Sequence, residues 1–479
     1  MNVTPLSPID DKPLYEQVAQ RMQELIEEGT LGPGDRLPSV RQLRHQLSIS
    51  ISTVLEAYRL LEDRGVVTAR PQSGYYVTAV QQAPEPRPSQ PSGHSSPIDI
   101  SLALQIITAV RDRRLLQLGA AIPSVEHLPV AALNRIMGKV LRAEGGLAHS
   151  YDASPGCVAL QQEVAKRMLN AGCSVAPSDV VITNGATEAV YLALRAVTRP
   201  GQVVAIESPI YYGMLEVLKS LDLEALELPA HPRDGIYLDA LEQALRTKTI
   251  AACLLIPNFN NPTGSCLSDA KKQALMALLN QYDVPLVEDD IYGELQFDGD
   301  RPKAVKAFDT EGRVLYCTSV SKILSPGLRV GWCIAGRYQA QVQQLKMVVS
   351  HMSATAPQLT VATFFANGGC DRHLRKLRRL NQSQTSRMLQ AIQTYFPADT
   401  RVTQPSGGHV LWLEMPPQFD ALTLYHEALQ HNISIAPGVM FSAAGRYGNC
   451  FRLNTALPWS LAVERALETI GQLAGQQLR

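Results

Sequence analysis

The sequence lacks a net charge, a long apolar run and paired cysteines. Its 44 basic and 44 acidic residues cancel, so any affinity for nucleic acid has to come from a local cluster of basic residues. No apolar run approaches the roughly 18 residues of a membrane span. The start, MNVTPLSPIDDKP, lacks the basic and apolar regions of a signal peptide. We therefore expect a cytoplasmic protein without a membrane-spanning segment.

The eight cysteines are scattered, with no C-x-x-C pair and no neighbouring histidine cluster. This spacing argues against a disulfide framework and against a zinc site, and it fits a reducing compartment. What the chain has is length, because 479 residues are enough for about two to four domains with a large core. The hydrophobic share of 45% is ordinary for a globular protein.

A stretch rich in proline and serine divides the chain. It occupies positions 81–97, with the sequence QQAPEPRPSQPSGHSSP, and carries no apolar stripe. Such a composition favours a semi-extended linker, which in a polyproline-like form reaches on the order of 50 Å. We therefore predict an N-terminal domain at 11–79, a linker at 80–97 and a larger domain at 98–479.

Before the linker, the sequence predicts three helices and a hairpin. Apolar residues at helical spacing mark the first helix: Leu14, Val18, Met22, Leu25 and Ile26. Ser39, followed three residues later by Gln42, is a capping-box signature for a short second helix, and Ser50 begins a third. A strand, a turn and a strand are then predicted by VVTAR, PQSG and YYVTA. This order is that of a winged helix-turn-helix, a DNA-binding fold.

Beyond the linker, strand-like runs alternate with helical ones. The strand-like runs include DVVIT, VVAIE, AACLLI and PLVED. Their alternation with helices predicts an α/β domain with a mostly parallel central sheet. Since ligands of such sheets bind beyond the carboxyl ends of the strands, the residues just after each strand are the candidates for a site.

Two of these strand ends carry groups suited to a flat, phosphorylated ligand. Gly185, Ala186 and Thr187 open a helix, so their backbone N–H groups can hold a phosphate, although a plain helix start is the simpler reading of the pattern. Tyr211 can stack on a flat ring or pack in the core.

Three further strand ends carry an amide, a carboxylate and an amine. Asn261 precedes a proline and is typical of a turn. Asp289 and Tyr292 lie three apart at a buried strand's end, where an unpaired carboxylate is costly and an ordinary ion pair is the alternative. Lys322 follows the strand-like run LYCTSV, and Arg329 lies seven positions further on.

A single ligand, pyridoxal 5′-phosphate, accounts for the whole set. Its aldehyde needs an amine, and Lys322 can form the Schiff base. Its phosphate needs N–H groups, hydroxyls and a forked cation, which residues 185–187, Ser319 and Arg329 can supply. The remaining groups would contact its ring: Asp289 at the pyridine nitrogen, Tyr292 and Asn261 at the ring oxygen, and Tyr211 on the ring face.

The motifs NPTG, D-x-x-Y and S-x-S-K, with an arginine seven residues past the lysine, occur here in the order seen in fold-type-I aminotransferases. From about Ile98 onward, the chain resembles that family. The resemblance implies that Arg452, in CFRLN, holds a substrate's α-carboxylate, the alternative being a surface arginine on a strand. It also implies a homodimer in which Tyr151 of one subunit reaches the phosphate bound by the other.

The first domain resembles the GntR family through GDRLPSVRQLRHQL, STVLEAYRLLEDRGVV and SGYYV. Fusion of the two modules is typical of the MocR, or PdxR-like, subfamily of bacterial regulators. Between Arg36 and Arg70, arginines outnumber acidic residues six to three, a local positive bias. Where many GntR proteins have an arginine, this chain has Ile51, which can touch a thymine methyl group but cannot hydrogen-bond to guanine. The resemblance implies a set of DNA contacts: Arg36, Arg41, Ser50, Ser52, Thr53 and Gly74.

We therefore predict a transcription regulator that binds operator DNA and pyridoxal phosphate, and that senses the cofactor alone or with an amino acid or amine. One alternative is a working aminotransferase that carries a DNA-binding arm. Another is a constitutive DNA binder whose large domain only dimerises. The joint presence of the predicted cofactor and carboxylate ligands argues against this last alternative, whereas sensing and turnover would use the same groups.

Overall fold

The computed structural model describes residues 13–28, 30–32, 34–70, 73–78, 83–90, 95–96, 98, 112, 114–151 and 155–479. These residues form an N-terminal domain, a large lobe around one sheet and a small lobe around another. No helix in this described part of the chain has the length and apolar character needed to cross a membrane. None of the eight cysteines, all of which lie in the described ranges, is part of a disulfide.

The N-terminal domain has the predicted order of elements. They are α1 (Leu14–Glu27), α2 (Val40–Leu47), α3 (Ile51–Asp63), β1 (Val67–Arg70) and β2 (Gly74–Val77). The two strands pair as an antiparallel hairpin. The helices pack around a core that includes Val18, Met22, Leu43, Val54, Tyr58 and Leu61. The predicted winged helix-turn-helix is confirmed.

Serine hydroxyls begin two of these helices, as the sequence predicts. The Oγ of Ser39 accepts a hydrogen bond from the backbone N–H of Gln42 at 3.2 Å. The Oγ of Ser50 accepts one from the N–H of Thr53 at 3.1 Å. Each bond satisfies a backbone donor that has no partner inside its helix. The end of α3 is marked by Gly65, whose φ of +70° favours glycine.

The sheet of the large lobe is mostly parallel, as predicted. Within the described residues it has nine strands. In spatial order they are β3 (Ser95–Ser96), β7 (Glu224–His231), β6 (Val203–Ser208), β9 (Ile250–Leu255), β10 (Leu286–Asp289), β11 (Val314–Ser319), β12 (Gly331–Ile334) and β5 (Val181–Thr183), with β8 (Gly235–Ile236) beside β7. The strands from β7 to β11 run parallel, whereas β12 is antiparallel to both of its neighbours. The carboxyl ends of the parallel strands therefore meet at one edge.

The small lobe is built on an antiparallel sheet. Its order is β13 (Arg401–Val402), β14 (Val410–Glu414), β17 (Cys450–Asn454) and β16 (Ala436–Pro437), and β4 (Leu116–Gln117) pairs separately with β15 (Ile433–Ser434). The remaining helices in the described residues are α4 (Val130–Ala143), α5 (Gly145–Ala148), α6 (Val158–Met168), α7 (Ala186–Val197), α8 (Tyr212–Ser220), α9 (Leu238–Thr247), α10 (Asp269–Tyr282), α11 (Gln339–Ser350), α12 (Thr355–Ala366), α13 (Gly369–Tyr395), α14 (Ala421–Gln430) and α15 (Leu461–Gln477).

Part of the predicted linker lies on the two lobes. The backbone N–H of Val402 donates to the carbonyl of Pro84, and the N–H of Ser89 donates to the carbonyl of Ala230, each at 3.0 Å. Pro86 between them is buried against the protein rather than open to solvent. Backbone groups of residues 83–90 are therefore paired with both lobes, and the semi-extended linker with a reach on the order of 50 Å stays a prediction.

Another piece of the predicted linker, Ser95 and Ser96, forms the edge strand β3. Positions 79–82, 91–94 and 97 lie outside the described residues. Composition identified this stretch as extended, but proline and serine content carries no information on which backbone groups find partners.

The N-terminal domain rests on one face of the long helix α13. Arg379 and Arg387 of α13 form ion pairs with Glu16 and Asp63, the second at 3.4 Å. A cavity of about 430 Å³ lies between the N-terminal domain and the rest of the protein, and the residues that line it include Ile26, Val66, Leu389 and Val402. The contact therefore combines partly exposed ion pairs with an incompletely packed gap that apolar side chains line in part.

Candidate functional site

Lys322 lies in a short 3-10 turn that directly follows β11. Its Nζ donates a hydrogen bond to the carbonyl of Ala121 at 2.6 Å and lies 5.9 Å from the centre of the Tyr292 ring. Withdrawal from water, together with the nearby charge of Arg452, lowers the pKa of Lys322 to about 8, against the opposing effect of Asp289. A lysine with a lowered pKa has a larger neutral fraction, so its amine is a better nucleophile.

Asp289 ends the neighbouring strand β10 and is 2% exposed. Its Oδ1 accepts a hydrogen bond from the N–H of Ile291 at 3.2 Å. Burial, and next the charge of Asp290, raise the pKa of Asp289 to about 7. No ion pair to Asp289 is found among the described residues, so the ordinary ion pair considered above is absent there. A buried carboxylate in this state favours a cationic ligand group.

Three side chains connect the large lobe to the small lobe across the site. The Nδ2 of Asn261 donates to the Tyr292 hydroxyl at 3.4 Å, and the Oδ1 of Asn261 accepts from Nη1 of Arg452 at 2.8 Å. Arg452 also donates through Nη2 to the carbonyl of Gly119. Asn261 thus fixes both a phenol of the large lobe and a guanidinium of the small lobe.

Arg452 is fully buried, which excludes the surface arginine considered from the sequence. It lies on β17, and its Cζ is 5.0 Å from the centre of the Phe441 ring. In the described part of the chain it has no carboxylate partner, and its Nε makes no hydrogen bond. Since a buried charge is costly unless it is paired, this guanidinium fits an anionic ligand.

The residues predicted to bind phosphate meet at the start of α7. Gly185 has a φ of +92°, and a Cβ at this position would lie 2.4 Å from Nη2 of Arg329, so only glycine fits. That Nη2 donates to the carbonyl of Asn184 at 2.7 Å. No side chain in the described residues caps this helix start. Ala186 and Thr187 follow in the first turn, whose N–H groups can therefore hold an anion.

Two other predicted cofactor residues lie nearby. Ser319 is 3% exposed, and its Oγ donates to Oγ of Ser321 at 3.0 Å. Ser321 is a buried hydroxyl that the sequence prediction did not include, although its place next to Lys322 is visible in the motif. Tyr211 directly precedes α8, with its ring centre 4.6 Å from that of Tyr212. Stacking on a ligand ring stays a prediction for Tyr211.

Tyr151 is not joined to the site of its own chain by any contact found in the described residues. Its ring is 83% exposed and meets His351 edge to face, with the ring centres 5.4 Å apart. The predicted role for Tyr151 was in the site of a second subunit, and that role stays a prediction.

The residues predicted to contact DNA lie at exposed helix starts and in the hairpin. Arg41 in α2 is exposed, as are Ser50 and Ser52. The Ser50 hydroxyl lies 2.7 Å from that of Ser52 and 2.8 Å from that of Thr53. All three hydroxyls are therefore hydrogen-bonded to one another at the N-terminus of α3. Their DNA contacts stay predictions.

In the hairpin, Gly74 has a φ of +111°, and a Cβ there would lie 3.3 Å from Nε of Arg36. Arg36 is exposed and lies beside the hairpin, where its backbone pairs with that of Tyr76. The glycine therefore makes room for the arginine. The predicted contacts of both residues with DNA are untested by this geometry.

Taken together, the site presents three cations, Lys322, Arg329 and Arg452, and one buried carboxylate, Asp289. The amine of Lys322 fits an aldehyde, and the helix start at Gly185 beside Arg329 fits a phosphate. Arg452, which has no carboxylate partner in the described residues, fits a ligand that carries a carboxylate. Pyridoxal 5′-phosphate meets these requirements, and when bound it serves as an electron sink for amino-acid chemistry. The fold and the site define a pyridoxal-phosphate-binding domain of the aminotransferase type.

Comparisons with known proteins agree with both halves of the chain. Residues 113–470 match the family model for aminotransferase class I and II, and residues 14–77 match that for bacterial regulatory proteins of the gntR family. Two uncharacterized HTH-type transcriptional regulators of Escherichia coli K12 are similar over nearly their whole length. YdcR is 39% identical, covering 97% of this chain and 99% of its own, and YjiR is 37% identical, covering 96% and 98%.

Among solved structures, the α-aminoadipate aminotransferase LysN of Thermus thermophilus, complexed with N-(5′-phosphopyridoxyl)-L-leucine, is similar with a TM-score of 0.74. It is 28% identical, and the match covers 80% of this chain and 96% of LysN. The chain belongs to the GntR-type regulators that carry a class I and II aminotransferase domain, the MocR subfamily predicted from its sequence. Pyridoxal 5′-phosphate is the cofactor that this family and this site support.

Proposed function

We propose that the protein is a cytoplasmic transcription regulator whose aminotransferase-like domain binds pyridoxal phosphate at Lys322 and an amino acid at Arg452. Occupation of this site changes the affinity of the N-terminal domain for operator DNA. The amino acid is recognised through its α-carboxylate, because a forked guanidinium binds a carboxylate through two hydrogen bonds.

One observation carries the regulatory part of this proposal: α13 contacts both the N-terminal domain and the residue that follows the strand of Arg452. On its buried face, the hydroxyl of Thr385 is hydrogen-bonded to that of Thr455 at 2.9 Å. Thr455 follows Arg452 by three residues, and its N–H donates to the carbonyl of His409 at 2.8 Å. On its other face, Arg379 and Arg387 hold the N-terminal domain. A shift of β17 on ligand binding would therefore reach the DNA-binding domain through one rigid helix.

The weakness of the contact with the N-terminal domain supports a regulator rather than a rigid assembly. Arg387 and Asp63 are 39% and 56% exposed, and such open ion pairs contribute only about 0–1 kcal/mol each. The DNA-facing start of α3 stays accessible, with Ile51 44% exposed. The N-terminal domain can thus change its position at small cost while its reading surface is already formed.

A homodimer is part of the proposal. Three successive apolar side chains near the end of α11, Met347, Val348 and Val349, are 51%, 80% and 49% exposed. They lie just before His351, which contacts the exposed ring of Tyr151. Contiguous exposed apolar groups favour a protein interface, and a second copy would bring Tyr151 against the partner. Light scattering should give twice the mass of one chain, and a monomer in solution would contradict this part.

The proposal is tested by DNA titration with loaded and empty protein. The duplex is first selected from a random pool with both forms. We expect loading with pyridoxal phosphate, with or without amino acids, to change the dissociation constant by a factor of about 5–150. Lys322→Ala should abolish this response. It should also abolish the covalent attachment of pyridoxal phosphate that borohydride reduction gives in the wild-type protein.

The sequence left a second function open, a working aminotransferase, and the same samples distinguish it. Transamination of an amino acid and a keto acid by the wild type, with identical DNA titrations for all forms, would contradict the sensor and support the enzyme. Labelling of a lysine other than Lys322 would contradict both.

A further inference from the structure

His409 is a buried histidine whose two ring nitrogens make no hydrogen bond with any described residue. It is 1% exposed and directly precedes β14. Its ring meets Tyr292 edge to face, with the ring centres 5.2 Å apart. Burial, and next the charge of Lys322, lower the pKa of His409 to about 3, so the imidazole is neutral. Buried polar groups without partners are rare in folded proteins and call for a physical reason.

The backbone holds the imidazole firmly in this position. The N–H of Gly408 donates to the carbonyl of Leu295 at 2.9 Å, and the carbonyl of His409 accepts from the N–H of Thr455 at 2.8 Å. A Cβ on Gly407 would lie 2.5 Å from the Phe259 ring, so the turn before the histidine is closely packed. The missing hydrogen bonds are therefore not explained by a loose loop.

The carbonyl of Ala121 is a polar group close to the ring, and it already accepts a hydrogen bond. A weak hydrogen-bonding contact with this carbonyl opposes the lowered pKa of His409, but its geometry falls short of a full hydrogen bond. The donor to the Ala121 carbonyl is Nζ of Lys322, at 2.6 Å. Other groups hold the same segment, including the side-chain amide of Asn454, which donates to the carbonyl of Ile122 at 3.0 Å.

Covalent attachment of the cofactor, which is part of the proposed function, removes that donor. The amine of Lys322 attacks the aldehyde carbon, a C=N bond forms, and both amine hydrogens leave with the aldehyde oxygen as water. The Ala121 carbonyl is then a buried acceptor that has lost its hydrogen bond. His409 is the adjacent side chain with an N–H that lacks a partner.

We propose that His409 is a positioning residue that donates to the Ala121 carbonyl once Lys322 is bound to the cofactor. The exchange keeps the segment around Ala121 closed over the site in the loaded protein. This proposal also explains why the ring nitrogens of His409 lack partners in the empty protein, because their hydrogen bond forms only when the cofactor is attached.

Three substitutions separate hydrogen bonding from packing. His409→Phe keeps a ring against Tyr292 but has no N–H, whereas His409→Gln and His409→Asn place an amide near the positions of Nε2 and Nδ1. We expect His409→Phe to weaken pyridoxal-phosphate binding, followed by absorbance, about 2- to 13-fold, the range of one lost hydrogen bond. One of the two amide variants should bind as tightly as the wild type.

Thermal unfolding of the empty proteins gives the second measurement. His409→Phe removes two unpaired buried nitrogens, so its empty form should be at least as stable as the wild type. A protein that is less stable when empty would show that the imidazole already has partners there, and would overturn the proposal. Equal cofactor affinity of His409→Phe and wild type would overturn it as well.

The Lys322→Ala background tests the exchange itself. There the Ala121 carbonyl lacks the lysine donor with and without cofactor, so His409→Phe should no longer change the affinity for non-covalently bound pyridoxal phosphate. Persistence of the full loss would mean that His409 touches the cofactor directly, and would contradict the positioning role. Absence of any covalent labelling of wild-type Lys322 would instead contradict the proposed function on which this inference rests.

Discussion

In the cofactor site Arg452 is fully buried and Asp289 is 2% exposed, whereas the side chains of the ion pairs under the N-terminal domain are 20–56% exposed. The charges of the site lack ionic partners among the described residues, so their energy depends on what binds. The charges under the N-terminal domain are paired, but solvent and salt screen them. The cofactor site is therefore stabilised by binding a ligand, whereas the N-terminal domain can separate from α13 at small cost.

The helix α13 contacts both regions, so it can transmit a change in one region to the other. Its buried face includes Thr385 and Asn381, and its opposite face carries the arginines that meet Glu16 and Asp63. A free-energy change at the buried site can therefore be large compared with the energy that holds the N-terminal domain in place.

The largest effect should come from an arginine substitution in the buried region. Arg452→Lys keeps the charge but loses the fork, so we expect an amino-acid ligand to bind about 10- to 100-fold more weakly. Cofactor absorbance should be retained, and calorimetric titration of the loaded protein measures the loss. The matched control is Arg387→Lys, at a partly exposed arginine on α13, which should leave ligand affinity unchanged. Equal losses in both variants would remove the distinction between the regions.

A smaller effect should appear in the pH dependence of cofactor binding. Asp289 has a pKa raised to about 7, so the empty protein holds it protonated at lower pH, and the carboxylate that pairs with a protonated pyridine nitrogen forms as pH rises. Affinity should therefore fall as pH falls below about 7, by about tenfold per unit of pH from this group alone.

Lys322, with a pKa lowered to about 8, acts in the same direction, because attachment needs the neutral amine. Asp289→Asn should remove its own share and leave that of Lys322. Glu207→Gln is the control, since burial raises the pKa of Glu207 to about 7 but its Oε1 accepts from the backbone of Ile256 at 2.6 Å. An unchanged pH profile in Asp289→Asn would make that carboxylate a purely structural group.

Much of the cofactor site follows from strand order alone. Lys322 follows β11 and Asp289 ends β10, and adjacent parallel strands place their carboxyl ends together. Asn261 follows β9 in the same way. The sequence alone therefore predicts that these residues lie close together, although their roles toward the cofactor stay predictions.

The other side of the site could not be collected in this way. Arg452 lies on an antiparallel strand of the small lobe, and His409 directly precedes another. The carbonyls of Gly119 and Ala121 come from a loop whose sequence has no distinctive signal. The turn Gly407-Gly408 before His409 is the one visible clue. The family resemblance pointed to Arg452, but the residue pattern alone does not show that Arg452 is buried while Arg387 is partly exposed.

The two regions are connected through the hydrogen bond between Thr385 and Thr455, and cutting it tests the central claim. Thr385→Val removes one hydroxyl, and the double variant Thr385→Val/Thr455→Val also removes the hydroxyl that would be left unpaired. The matched control is Thr394→Val, whose hydroxyl on the same helix donates to the carbonyl of Gln390.

The measurement is the ratio of operator dissociation constants without and with pyridoxal phosphate and amino acid. We expect both Thr385 variants to bind the cofactor normally while this ratio falls by a factor of about 2 to 10 toward one. The control should keep the wild-type ratio. A wild-type ratio in folded Thr385→Val and in the double variant would contradict coupling of the site to the DNA-binding domain through α13.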